Sequence, residues 1–562
     1  MNTRFGNKIA LATRENAGHE PWDVAERLVD AWIADGYPAA YAKTYETVDL
    51  APADITAPNG AYTIKTDWKS NTPTAEWNRR IYARTMETLG DFVKGEPATL
   101  GKYGGMTNTG LRGNATGFFH TEELDGRTYI IDPEGYPFFA VGVNTVQLGA
   151  TENQKRVALE KYGSEDNFFD TICTEMRDVG INTVWVGNAL AIADRGKQVA
   201  AIGTGGISMY MKTLNLGVST GGSAAFRFNN TMNVFDPDFE TFMETRIREV
   251  VAPHVDDPRI VGWYSDNEIP AQVNMLECYL TIDPAEPVNA FSYAAAWSFL
   301  AARTGKAEPT VEDITPALSE EFKGFVYDRY FRVVTKALRA VDTNHMYMGC
   351  RIHAWNKTSE GYLRAAGQFV DVMTVNLYGG LEPSMDTIKC MYRYSGRPFL
   401  VTEFYAKAEG AKDMNGYELR NQTNAGWIVK SQRDRGIHYE NYILLMLECR
   451  ACVGWTWYRF RDNDQTVYAD PDGNLYTVYD YKSRAIWAYY NVKTGEILPA
   501  EEAPEMTVHY QGERDTSNLG SNKGIYDNFM NRYEVMDKMK EVNEQLFHLV
   551  RYFDKNKSLQ NR

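Results

Sequence analysis

From about residue 117 onward, apolar residues recur in short, near-continuous runs separated by longer amphipathic stretches. A hairpin comes first: GFFHTEEL and RTYIIDP flank Asp125-Gly126, a pair suited to the tight turn between two strands. Eight β-rich runs follow, at residues 138–144, 181–187, 207–212, 259–268, 345–352, 370–378, 398–404 and 452–460. Several are apolar at nearly every position, as parallel strands covered on both faces must be. The stretches between them carry helical periodicity: Phe168–Val179, Phe239–Val251, Ala290–Thr304, Glu320–Val341 and Asn424–Asp434, with a long amphipathic helix over 531–554 at the end. Eight strand–helix alternations closing on a helix predict an α/β fold, a (β/α)8 TIM barrel over residues 117–562. A doubly wound open sheet is the other architecture this alternation permits.

The first 116 residues read differently. Two helical stretches, near Trp22–Asp35 and Ala75–Val93, are joined by Pro- and Thr-rich loops, and Gly101–Gly117 holds six glycines and reads as a loop or linker. This segment is expected to be a smaller, partly helical accessory region, 1–116.

Charge and composition then narrow the partners. The net charge of −15, with no Lys/Arg cluster, argues against nucleic acid and anionic membranes as partners. No apolar run is long enough to span a membrane, and MNTRFGNKIALATRENAGHE lacks the apolar core of a signal peptide. The chain is therefore expected in the cytoplasm, or outside it if a leader has been trimmed. The six Cys are scattered, and Cys449 and Cys452 form a CxxC pair with no second pair or His cluster, so reduced core thiols are expected. With only eight His in the chain and no clustered metal-ligand spacing, no metal or other cofactor is expected. Asp470-Pro471-Asp472-Gly473 reads as a turn rather than a calcium loop.

Barrel enzymes carry their chemistry at the C-terminal ends of the strands. Here those ends offer Asn144 on the first run, Asn188 after the second, Asp266-Asn267-Glu268 on the fourth, Arg351 and His353 on the fifth, Asn376 and Tyr378 on the sixth, Glu403 on the seventh, and Trp455, Trp457 and Arg459 on the eighth. Two carboxylates at separate strand ends, ringed by amide, aromatic and basic groups, suit cleavage of a glycosidic bond. One protonates the leaving group while the other attacks the anomeric carbon. Arg or Tyr beside the second carboxylate would keep it ionised. His353 and Trp457 could each be ordinary structural residues, and Arg351 could brace a carboxylate.

Taken together, DPRIVGWYSDNE (257–268) and FLVTEFY (399–405) resemble the acid/base and nucleophile strands of clan A glycoside hydrolases. IDPEGYPFFAVGVN, DVGINTVWVGN, YMGCRIHAW, VGWTWYRFRDND and MKEVNEQLF extend the likeness to the β-agarases of glycoside hydrolase family 50, over roughly 117–555. The resemblance implies a retaining mechanism with Glu268 as acid/base and Glu403 as nucleophile. It further implies Asn267 on the sugar 2-hydroxyl, Tyr378 on the nucleophile and Trp457 under the reacting sugar. The implied partner is a carbohydrate: agarose-type β-linked galactan or its oligosaccharides. Exo-type release is a separate expectation: a cytoplasmic enzyme would meet only imported oligosaccharides, and the long stretches Lys212–Pro258 and Ala406–Gly426 could wall one end of the site. The chain departs from that family in a shorter, more helical N-terminal region where a β-sandwich is expected, and in Phe404-Tyr405 where a His-containing stretch is expected. The same chemistry on another β-linked glycan, such as a β-galactoside, and a non-catalytic carbohydrate-binding barrel are the competing readings.

Overall fold

The structure is a computed structural model that describes residues 20–35, 66–69, 76–80, 83–185, 200–203, 231–287, 289–378, 380–421, 426–481, 485–513 and 520–555. Its centre is a curled parallel sheet within a mixed α/β fold. The strands are β1 (Ala140–Asn144), β2 (Thr183–Trp185), β3 (Ala200–Gly203), β4 (Ile260–Trp263, resuming at Asp266–Asn267), β5 (Met346–Tyr347, resuming at Cys350–Ile352), β6 (Met373–Asn376), β7 (Phe399–Phe404) and β8 (Cys452–Trp457). Each pairs in parallel with the next, and β8 pairs with β1, Trp455 opposite Val141. The interruptions in β4 and β5 lie opposite each other and are bridged by Met348 N–H to Trp263 O (2.7 Å) and Ser265 N–H to Gly349 O (2.8 Å).

Side chains of β1, β2, β7, β8 and the first part of β4, Ile260–Trp263, are all buried, which explains the largely apolar character of these strands. Trp185, Val261, Met348, Val372, Leu400 and Val453 form one buried cluster, and Phe119 and Phe138 of the preceding hairpin join it. Gly142 makes room for this packing: a Cβ there would lie 2.3 Å from the Trp185 indole nitrogen. The opposite faces of the strands join a larger core shared with the helices. Full burial of each large apolar side chain stabilises the fold by roughly 1.5–3 kcal/mol. Thr151, Ser164, Thr315, Ser359, Ser384 and Ser431 each cap a helix by accepting a backbone N–H three residues on, which sets where those helices begin.

The helices Glu165–Asp178, Asp238–Val251, Ala290–Thr304 and Pro316–Arg339 match the sequence reading closely. Other elements differ. The run 207–212 lies outside the described residues, and the third place in the sheet belongs to Ala200–Gly203. The described residues between 75 and 93 hold the strand Asn78–Arg80 and a 3-10 turn, Met86–Thr88, in place of the expected helix. Instead of a helix over 424–434, Trp427–Val429 is a strand and the helix is Gln432–Glu448. The last helix is two, Val535–Glu544 and Leu546–Lys555. A five-stranded antiparallel sheet over Val467–Tyr510, absent from the sequence reading, precedes them. Asp470–Gly473 is its first turn, with Gly473 N–H donating to Asp470 O at 3.1 Å.

The N-terminal residues pack into the rest of the molecule. On the helix Pro21–Ala34, Trp22 meets Trp297 at 5.4 Å and Trp32 meets Phe325 at 5.1 Å between ring centroids. Thr66–Lys69 and Asn78–Arg80 form a sheet with Trp427–Val429 and with Ala406–Ala408, the strand that continues β7. All six cysteines are free thiols. Among the described residues, no helix is long and apolar enough to cross a membrane.

Candidate active site

The C-terminal ends of β4 to β8 bring most of the sequence-identified residues together. Asn267 ends β4, and Glu268 follows it with φ +52°. A non-glycine residue in this left-handed region costs of order 1 kcal/mol. Here it is held by Glu268 N–H donating to Arg351 O at 2.9 Å, so the chain kinks as β4 ends. On the carboxylate itself, Asn376 Nδ2 donates to Glu268 Oε1 (3.0 Å) and to Asn267 Oδ1 (3.2 Å). The Thr402 hydroxyl donates to Asn376 Oδ1 at 2.7 Å, which orients the amide.

Glu403 lies on β7, buried, and receives two donors: the Arg351 guanidinium on Oε1 and the Tyr378 hydroxyl on Oε2. Burial pushes its carboxyl above the usual range, Arg351 pulls it down, the charge of Glu268 raises it again, and the Tyr378 hydrogen bond lowers it. The expected Arg and Tyr are both present, yet burial prevails. The same burial, together with Glu403, raises the Tyr378 hydroxyl far above its ordinary value, so it stays a proton donor. Burial alone would push Arg351 down, but the charge of Glu403 holds it fully cationic. The two carboxylates therefore occupy unequal surroundings: Glu268 half-buried on a neutral amide, Glu403 buried on a cation and a phenol.

The remaining residues sit as follows. Asn144, fully buried, donates Nδ2 to Thr402 O at 2.8 Å and so braces β7 just before Glu403. Arg351 also reaches Thr402 O, at 3.4 Å. His353 is half-buried at the end of β5, directly before the turn Ala354–Lys357. Trp457 is only 1% exposed; its indole N–H donates to Lys523 O at 2.7 Å, and its ring packs against Phe404 and under Arg435. It stands in the packed wall behind Glu403. Asn188 lies outside the described residues. Among the described residues, no group of three His, Cys, Asp or Glu could hold a metal ion.

Three residues contribute in ways the sequence did not assign. Asn376 was visible as the end of the sixth run, but its bond to Glu268 was not. Thr402 acts through Asn376. Tyr405 is buried beside Tyr378, ring centroids 5.2 Å apart, and both Glu403 and Glu268 raise its hydroxyl further above its ordinary value after burial and Tyr458.

Fold and site together define a parallel α/β sheet that presents two carboxylates of unequal environment from strands three places apart. The comparisons with known proteins agree with that class. No family model matches the chain. It is 25% identical over 510 residues to beta-agarase B of Vibrio sp. (strain JT0107), covering 72% of this chain and 51% of that protein. It is 24% identical over 493 residues to beta-agarase A of the same organism, covering 70% and 47%. The chain thus spans about half the length of these curated relatives. Among solved structures, it superposes on BpGH50 with a TM-score of 0.66 at 21% identity, over 87% of this chain and 96% of that one. On the agarase AgWH50C the TM-score is 0.56 at 19% identity, over 81% and 67%. On an exo-beta-agarase it is 0.55 at 18%, over 81% and 69%. These structures share the fold.

Proposed function

We propose that this protein is a retaining glycoside hydrolase that cleaves agarose-type β-linked galactan or its oligosaccharides. The observation that carries the reading is the unequal pair: Glu403 held by Arg351 and Tyr378, Glu268 held by Asn376. The names of the two Vibrio relatives support the substrate class. The scaffold is read as a (β/α)8 barrel of clan A, which the ring of parallel pairings from β1 to β8 supports. Residues 1–116 are read as an accessory region that braces this barrel.

In the first step the Glu403 carboxylate attacks the anomeric carbon while the glycosidic C–O bond breaks. The protonated Glu268 delivers its proton to the departing oxygen. Arg351 and Tyr378 hold the Glu403 carboxylate in place for attack; the ester it forms is neutral, and the negative charge is left on Glu268, which has given up its proton. In the second step Glu268, now ionised, takes a proton from water, the water oxygen bonds the anomeric carbon, and the ester to Glu403 breaks. Two inversions restore the β configuration. Asn267 is assigned to the sugar 2-hydroxyl, and Asn144, Asn188, His353 and Trp457 to positioning around the reacting ring.

Exo-type release is part of the proposal, one structural neighbour being described as an exo-beta-agarase. The experiment is a hydrolysis panel of agarose, agarose-derived oligosaccharides and simple β-galactosides, with products followed over time. Short products appearing first from long agarose support the full reading. A ladder of intermediate lengths removes the exo mode, and turnover of β-galactosides alone moves the assignment to the competing glycosidase reading.

A further inference from the structure

Trp355, in the turn that follows β5, is 62% exposed. The tryptophans on the sheet strands, Trp185, Trp263, Trp455 and Trp457, are all buried. An indole left in water forgoes the burial that normally stabilises it, and its flat apolar face is open to a stacked ligand.

The turn that carries it is firmly placed. At Ala354 the chain leaves the extended β5 backbone with φ +46°, an uncommon conformation for a residue with a Cβ, and this kink turns the next residue outward. Asn356, fully buried, donates Nδ2 to Pro270 O at 2.9 Å and to the Tyr327 hydroxyl at 2.9 Å, and that hydroxyl in turn donates to Pro270 O. Pro270 is two residues beyond Glu268, whose own amide is bound to Arg351 O on β5. Thr358 N–H closes the turn on Trp355 O at 3.2 Å. The turn that carries the indole is thus tied to the same two segments that place Glu268. Lys357, half-buried on the same turn, is pushed down by burial and held up by the charge of Glu268.

We propose that the Ala354–Lys357 turn forms a binding subsite for the leaving-group side of the substrate, with Trp355 as its stacking platform and Lys357 as a donor to sugar hydroxyls. The inference rests on the hydrolase reading above and deepens it. The acid/base residue protonates the oxygen of the departing sugar, so the surface tied to its loop faces that sugar and those beyond it. A galactose-type ring has one face lined with C–H bonds, which stacks on an indole while its hydroxyls point outward to donors such as Lys357. The ligand class is accordingly a neutral galactan segment, at least one ring beyond the scissile bond.

The test uses the full chain carrying Glu268→Gln, so that the sugar binds without being cut, and an agarose-derived hexasaccharide as probe. Adding Trp355→Ala should raise Kd about tenfold, and adding Trp355→Phe about threefold or less, since an aromatic platform remains. Circular dichroism checks that the fold is kept, as expected for an exposed residue. An unchanged Kd in the alanine variant overturns the subsite even where the wild-type protein cleaves the hexasaccharide. Failure of the wild-type protein to cleave or bind it removes the hydrolase reading, and the subsite with it.

Discussion

The side-chain amide of Asn376 donates to Glu268 at 3.0 Å, while its own carbonyl oxygen is fixed by the Thr402 hydroxyl at 2.7 Å. The carboxylate proposed as acid/base is thereby aimed by an amide whose orientation is set on β7, one residue before Glu403. Replacing Asn376 with Ala should lower kcat/KM on an oligosaccharide by about 10–100-fold, within the range that general acid–base catalysis contributes. A galactosyl fluoride needs little proton help in departing, so its loss should be about tenfold smaller. Equal losses on the two substrates would show that Asn376 only supports the fold.

Glu268→Gln and Glu403→Gln should each cut turnover by at least ~100-fold, one by removing proton transfer and the other by removing the covalent step. Thermal melting should show both variants folded. Near-full activity of either variant on a true substrate removes that residue from its role.

The strands that were legible in the sequence were those with long apolar runs, such as FFAVGVN and PFLVTEF, because burial on both faces leaves few polar positions and those fall near the C-terminal ends. The third strand was not, because Ala200–Gly203 carries little β-branched or aromatic character. Ala75–Val93 has helical spacing, but Thr66–Trp68 pairs with Asn78–Arg80 and pulls it into a sheet, a tertiary contact that no local window contains. The C-terminal sheet did leave a signal: Leu475–Tyr481 is rich in Tyr, Val and Thr and follows the Asp470–Gly473 turn. For the site, Glu268 and Glu403 were legible as carboxylates ending apolar runs. The Asn376 contact was not, because it depends on a register shift that sets Asn376 opposite Glu403.

The stereochemical course follows from the roles given to the pair. With Glu403 as nucleophile, the first sugar released should keep the β-anomeric configuration of the substrate. Proton NMR during early hydrolysis reads this before mutarotation blurs it. An α-anomer appearing first would make Glu403 a base acting on water.

The environment of Glu403 predicts a pH dependence with a definite sign. Burial raises its carboxyl above 4.5, the ordinary value, and Arg351 opposes that rise. The nucleophile must be ionised in the free enzyme, so the acidic limb of kcat/KM should lie above the ordinary carboxylate range, with activity lost as pH falls through it. Arg351→Met removes the opposing cation and leaves burial and the Glu268 charge, both of which raise the carboxyl. The acidic limb should then move to higher pH by at least about one unit, and activity near pH 5 should fall further than activity near pH 8. Arg351→Lys keeps a charge but not the planar fork, so its limb should fall between the two. An acidic limb that stays in place in the Met variant, or moves to lower pH, would show that Arg351 does not set the charge state of the nucleophile.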